Sequence, residues 1–348
     1  MKKTLFAALA LVSMASCSNE EVLDVAQKEA IGFENAFVNN STRSVIDPSK
    51  TKDAFYEAFN VYAFVNGATL LDNAPVSNTS GTWSYGEPQY WINGATYNFT
   101  AYAPKSNDLV VTANTTTTKD ELALTFTNNN GKVDVLYAKP STMTGKQSGN
   151  GNMTPANGTV GFDFNHILSK VKFSFTNEYN VDAASIKVYD IAINNSPKQG
   201  NVVLNGTTTW TAVEGSGNAT LSFGKATDDE GTNDKESVEV AYGFNKTYES
   251  ENELLLIPVE GSYEVTFKVD LLISNTKIAT YNHKANVTLD LTPGYSYDIV
   301  AKINATNIDP DDEDGQETIQ FTVNSVAGWT QGTASEITTT VPNTTTQQ

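Results

Sequence analysis

Residues 96–103, TYNFTAYA, set Tyr97, Phe99 and Ala101 against Asn98 and Thr100. Period-two alternation of aromatic and polar residues marks a strand, because successive side chains of an extended chain point to opposite faces. The same reading extends outward in both directions. Asn60–Val65 places Val61, Ala63 and Val65 on one face and Tyr62 and Phe64 on the other, and in 30–37 Ile31, Phe33 and Phe37 share a face. Further strands are predicted over 122–126, 133–138, 160–164, 168–176, 185–193, 217–223, 253–259, 263–273, 276–289, 295–305 and 318–323. Helical spacing is rare; Asp53–Phe59 and Val181–Ser185 offer a turn or two each. The chain is therefore predicted to be all-β.

At 348 residues the chain has room for two domains with real cores. About a dozen short strands over that length imply two tandem antiparallel β-sandwiches. The Gly/Asn/Thr-rich stretch 145–158 is the weakest region between them, which puts the boundary near residue 160: an N-terminal sandwich over 44–159 and a C-terminal one over 160–330. The 40 acidic residues outnumber 22 basic ones, for a formal charge of −18, and that excess argues against nucleic acid as a partner. A single cysteine excludes a disulfide framework and any cysteine-cluster metal site. The tail 331–348 aligns Ile337, Thr339 and Val341 on one face before losing apolar content. It is either a disordered end or an unpaired strand awaiting a partner.

The first 17 residues, MKKTLFAALALVSMASC, join a basic start (Lys2, Lys3) to a short apolar run and small residues before Cys17. The run is too short to span a bilayer and reads as a cleaved export signal. With the chain's one cysteine at the cleavage position, the segment resembles a bacterial lipobox. That resemblance implies that Cys17 is lipidated and tethers the protein to the outer membrane without a spanning helix. The acidic residues Glu20 and Glu21 that follow resemble a surface-export signal.

Arg43 is the only arginine in the sequence. It lies in the small polar segment NNSTRSV, the kind of exposed stretch where proteolytic nicking concentrates. An Arg-specific protease cutting between Arg43 and Ser44 would remove the lipid anchor and the strand of Ile31, Phe33 and Phe37 together, leaving 18–43 as a propeptide. The bared edge would recruit a strand from another chain. Burial of those three side chains, at about 1.5–3 kcal/mol each, is the driving term before ordering costs. Ile337, Thr339 and Val341 are the candidate donor, and head-to-tail repetition would build an open filament. The bland alternative is a linker arginine in a lysine-preferring protein.

Several segments carry a family resemblance in order along the chain. They are IGFENAFVNNSTRS (31–44), Trp83-Ser-Tyr85 with QYW (89–91), FTAYAP (99–104), VDVLYA (133–138) and FNHILSKVKFSF (164–175). LLLIPVEG (254–261), LTPGYSYDIVAKI (291–303) and FTVNSVAGW (321–329) follow. Together they resemble the fimbrillins, two-domain type V pilin subunits. The resemblance implies transthyretin-like sandwiches and a structural, non-enzymatic role in surface fimbriae, with other fimbrial subunits as partners and no cofactor.

Other constellations are weaker. The acidic run 309–315 lacks the glycine and glutamate placement of a calcium loop and reads as a solvated connection. His166 has no HxH or HxxxE neighbour and reads as structural or interfacial; His283 reads as an exposed strand residue. There is no GxSxG motif, and nothing singles out a catalytic carboxylate pair. Trp83, Trp91, Trp210 and Trp329 could stack on sugars, which supports the alternative of a permanently anchored glycan-binding lipoprotein. Indoles more often fill cores.

Overall fold

The computed structural model describes residues 29–38, 58–80, 82–113, 121–147, 153–155, 159–204, 208–227, 241–308 and 319–328. Every regular element among them is a β-strand, and the strands form four sheets. The first runs β1 (Phe33–Val38), β10 (Val160–His166), β8 (Leu136–Gln147), β5 (Thr96–Ala103), β2 (Ala58–Val65), β3 (Ala68–Thr79) and β4 (Thr82–Tyr85), with β9 (Met153–Pro155) on β8. The second runs β14 (Thr208–Ala212), β13 (Gln199–Leu204), β7 (Leu122–Thr127) and β6 (Leu109–Ala113). The third runs β16 (Ala226–Thr227), β18 (Thr247–Ser250), β11 (Ser169–Asn177), β22 (Tyr295–Ile303) and β23 (Phe321–Gly328), with β19 (Leu254–Leu256) on β11. The fourth runs β15 (Asn218–Gly224), β12 (Ala184–Pro197), β20 (Gly261–Ile273) and β21 (Thr276–Leu289), with β17 (Tyr242–Gly243) on β12. Pairing is antiparallel except between β1 and β10 and between β11 and β22.

β2 and β5 sit mid-sheet and are buried on both faces. Val61, Ala63, Tyr97 and Phe99 face one core together with Phe162 and Phe164. Tyr62, Phe64 and Tyr102 face another, against Leu122, Leu124 and Phe126 of β7 and Val202 and Leu204 of β13. A sheet covered on both sides cannot keep a polar face, which is why these two stretches are so continuously apolar. Asn60 and Thr100 are the buried exceptions: the Asn60 amide donates to the Asn73 carbonyl at 3.0 Å, and the Thr100 hydroxyl donates to the Ala138 carbonyl at 3.2 Å.

Sheet membership does not change at residue 160. β10, expected to open the second domain, completes the first sheet: Phe164 lies opposite Ala138 of β8. The β13–β14 hairpin, from the second half of the chain, pairs with β7 of the first, with Val202 opposite Leu124. β6 and β7 alone would make a two-stranded ribbon, too narrow to cover Tyr62, Phe64 and Tyr102, and the hairpin widens it. Its docking is close. A Cβ on Gly200 would come within 2.6 Å of Ile257 and 2.9 Å of the Trp210 ring. The Trp210 Nε1–H donates to the Ile167 carbonyl at 2.6 Å, and Asn128 donates to the Leu255 carbonyl at 2.7 Å.

The third and fourth sheets face each other over Phe173, Phe175, Ile299, Phe267, Val269 and Phe321. Both halves of the chain share one local device. The Tyr97 hydroxyl accepts the Ile92 N–H at 2.7 Å and donates to the Tyr90 carbonyl at 3.2 Å. The Tyr297 hydroxyl accepts the Thr292 N–H at 2.7 Å and donates to the Asp290 carbonyl at 3.1 Å. Gly94 and Gly294 take the same place in the two turns at φ of 72° and 78°, a conformation open to glycine at little cost. Each phenol thus ties down the turn that feeds its own strand.

Neither expected helical turn forms within the described residues. Ala58 and Phe59 belong to β2, and 53–57 fall outside the description. At 181–185 the Ala184 N–H reaches the Val181 carbonyl, but Ala183 has φ of 57°, and the left-handed residue ends the turn before β12 begins.

Because Trp210 joins the halves, Trp210→Ala is expected to cost about 3–5 kcal/mol in urea unfolding. A cost near zero would mean that the hairpin is not a structural tie.

Candidate strand-exchange groove

The eight-stranded sheet closes on itself, and β1 lies at the seam. On one side β1 runs parallel to β10, from Phe33 opposite Val160 to Val38 opposite Phe164. On the other side the residues just before β1 pair with those just after β4. Ala30 bridges Tyr90 in antiparallel fashion; the Ile31 N–H donates to the Gln89 carbonyl at 2.7 Å, and the Trp91 N–H to the Glu29 carbonyl at 3.1 Å. The Tyr85 hydroxyl donates to the Ile31 carbonyl at 2.8 Å and accepts the Gln89 N–H at 3.1 Å. Burial raises the pKa of this phenol above its ordinary value. The entering chain is thus held in two successive stretches, 29–31 by 89–91 and 32–38 by β10.

The side chains follow from that placement. Ile31 is 2% exposed and Phe33 7%. The Phe33 ring sits among four others, at centroid distances of 5.2 Å to Tyr85, 5.8 Å to Phe162, 6.2 Å to Phe99 and 6.3 Å to Phe59. Phe162 is stacked against it and the rest meet it edge-on, the geometry that ring quadrupoles favour. The register slips between Glu34 and Ala36, so Phe37 falls opposite Asp163 and Val38 opposite Phe164. The side chains of 34–38 lie outside the description.

Sequence reasoning identified Ile31 and Phe33 but not the cage around them. Tyr85 and Phe99 stood within quoted motifs, yet nothing local indicated that 83–91 meets 29–33. Cys17, Arg43, Ser44, Ile337, Thr339, Val341 and the acidic run 309–315 lie outside the described residues.

The described indoles do not form a platform. Trp91 is 3% exposed, with its ring 4.8 Å from that of Tyr97, and Trp83 packs 4.9 Å from Phe59. Trp210 is 4% exposed and contributes to the lining of an open cavity of about 690 Å³ between β14 and the 258–263 and 290–293 segments. Trp329 lies outside the description. Among the described residues no group of three His, Cys, Asp or Glu side chains is placed to hold a metal. His166 pairs with Asp134 at 2.8 Å, Nδ1 to Oδ2.

His283 is not an exposed strand residue. Its ring stacks on Phe267 at 5.1 Å, and its buried Nε2 finds no hydrogen-bond partner among the described residues. Burial lowers its pKa from 6.5 to about 4.

Comparison with known proteins gives these features a family. The fimbrillin-like family model matches residues 42–329. The chain belongs to the fimbrillin-like family. A fimbrial protein from Bacteroides vulgatus has the same fold at a TM-score of 0.60 and 17% identity, over 86% of this chain and 99% of that one. A candidate cell adhesion protein from Bacteroides ovatus aligns at a TM-score of 0.47 and 14% identity, over 88% of this chain and 99% of its own. No protein of curated function matches by sequence.

Two outcomes follow for this fimbrillin-like chain. Phe33→Ala empties the cage and is expected to cost about 3–5 kcal/mol of stability in urea unfolding; an unchanged midpoint would show that the seam contributes little. For His283, the unfolded ring takes up a proton near pH 6.5 and the folded ring near 4. The unfolded state thus binds more protons in that window, so stability is full above pH 6.5 and falls toward pH 4. The limit is about 3 kcal/mol, reduced by the ring's partial exposure. His283→Leu should flatten that slope, and an identical slope in the variant would place the titration elsewhere.

Proposed function

We propose that this chain is a structural subunit of a surface fimbria, assembled by donor-strand exchange. It is exported as a lipoprotein through Cys17, reaches the outer membrane surface, and is cut between Arg43 and Ser44 by an Arg-specific protease. The cut frees Ile31 and Phe33 to leave with the anchor. Their groove then takes a strand from another subunit, while Ile337, Thr339 and Val341 serve as the strand this subunit donates. Adhesion is the role of the finished fimbrium.

The observation that carries this reading is the position of β1. β1 runs along β10, the residues just before it bond 89–91, and Phe33 plugs an aromatic cage, while β1 is also the first strand in sequence among the described residues. Removing it bares two rows of unpaired N–H and C=O groups and an apolar slot, a template for strand addition. Arg43, the single arginine, stands five residues after β1, so a cut there leaves β2 and all that follows it in one piece. The family membership and the fimbrial neighbour fit the same role. The glycan-binding alternative loses its motive at Trp83, Trp91 and Trp210, which are occupied in packing.

The test is an exchange assay. Chain cut after Arg43 is incubated with a fluorescent 29–38 peptide and passed over a sizing column. The cut chain is expected to take up label while the intact chain does not. Equal uptake by both, or none by the cut chain, would remove strand exchange as the mechanism.

A further inference from the structure

Resting on the strand-exchange reading, the cage around Phe33 specifies what enters it. The slot has two depths. The Ile31 position is apolar and closed, with the strand's carbonyl fixed by Tyr85. Two residues on, the Phe33 position is walled by Phe59, Tyr85, Phe99 and Phe162, none of which belongs to β1. The position between them is permissive: a Cβ on Gly32 would find its nearest neighbour, Thr159, at 3.9 Å, and the Gly32 carbonyl accepts the Val160 N–H at 3.2 Å. The groove therefore reads aliphatic, any residue, aromatic, on a strand parallel to β10. A smaller plug leaves the four rings facing a void and forfeits their edge contacts.

Residues 330–348 do not meet that requirement. They read TQGTASEITTTVPNTTTQQ and contain no aromatic residue. With Ile337 in the Ile31 position, Thr339 falls in the Phe33 position. A threonine there fills a fraction of the cage and sets a polar hydroxyl among largely apolar rings. Further along, Pro342 removes a backbone N–H that a ladder would use.

We infer that the groove's occupant in trans is a strand of pattern aliphatic-x-aromatic from a different subunit, not the 330–348 segment of a second copy. Donor and acceptor in this chain are mismatched: it accepts an aromatic plug and offers a small one. Subunits with such a mismatch do not polymerise with themselves; they are placed in a set order by partners whose grooves and strands match. The mismatch works as a specificity device, since an unfilled cage disfavours the wrong partner without weakening the right one.

Competition against the labelled 29–38 peptide on chain cut after Arg43 tests this. Unlabelled 29–38 peptide is expected to compete. The same peptide carrying Phe33→Val is expected to compete at least about tenfold more weakly, a difference of about 1.4 kcal/mol, and the 330–348 peptide at least as weakly. In the full chain, Thr339→Phe places an aromatic in register with the cage. After the cut, that variant is expected to form ladders on a sizing column where the wild type stays monomeric. Ladders of the wild type, or competition by the 330–348 peptide equal to that of 29–38, would overturn the inference and leave strand exchange standing. No uptake of the labelled 29–38 peptide at all would overturn strand exchange itself, and the inference with it.

Discussion

The aromatic ring of Phe33, seated where the two ends of one sheet meet, is the contact on which the first half of this molecule depends. A sheet that curls until its ends approach leaves a gap, and an open gap is a row of unsatisfied backbone groups beside exposed core. The gap is filled by β1. Its backbone satisfies β10, the residues just before it (29–31) bond 89–91, and Ile31 and Phe33 close the core between them. Four rings converge on one, so the closure is specific as well as apolar. The strand that completes the fold also lies nearest the N terminus of the described residues, which makes closure separable from the rest of the chain.

The second sandwich has no such weak point in its interior. β11, β12, β20 and β22 are central, each paired on both edges. What links it to the first sheet is the β13–β14 hairpin, which reaches back to widen a ribbon too narrow to cover Tyr62 and Phe64. Trp210 and Gly200 serve that docking, the one by size and the other by the absence of a side chain. Stability is therefore distributed unevenly: a closing strand held at one end, and a shared cluster that couples the two halves.

The all-β class was legible because β2, β5, β11 and β20 alternate or run apolar over their full length, and no tertiary contact had to be known to see it. β3 was not legible: its buried positions are sparse and Asn73, at φ of 51°, interrupts the ladder. β13 was missed as well, because QGNVVL is short and takes its meaning from β7, which lies more than seventy residues away. That β10 joins the first sheet was hidden for a related reason. Low complexity marks a loop, not a change of sheet, and β10 folds back across it. In the groove, Ile31 and Phe33 could be read from alternation. The turns at Gly94 and Gly294 show the opposite case. The spacing Gly-x-x-Tyr is present in both halves and was open to detection, but its role appears only with the hydrogen bonds.

Amide hydrogen exchange on the chain beginning at Ser44, compared with the full chain, tests most directly whether β1 is a local closure. The account predicts that 160–166 and 89–91 lose protection while β20 and β21 keep theirs. Unchanged protection at 160–166, or loss of protection throughout β20 and β21, would contradict it.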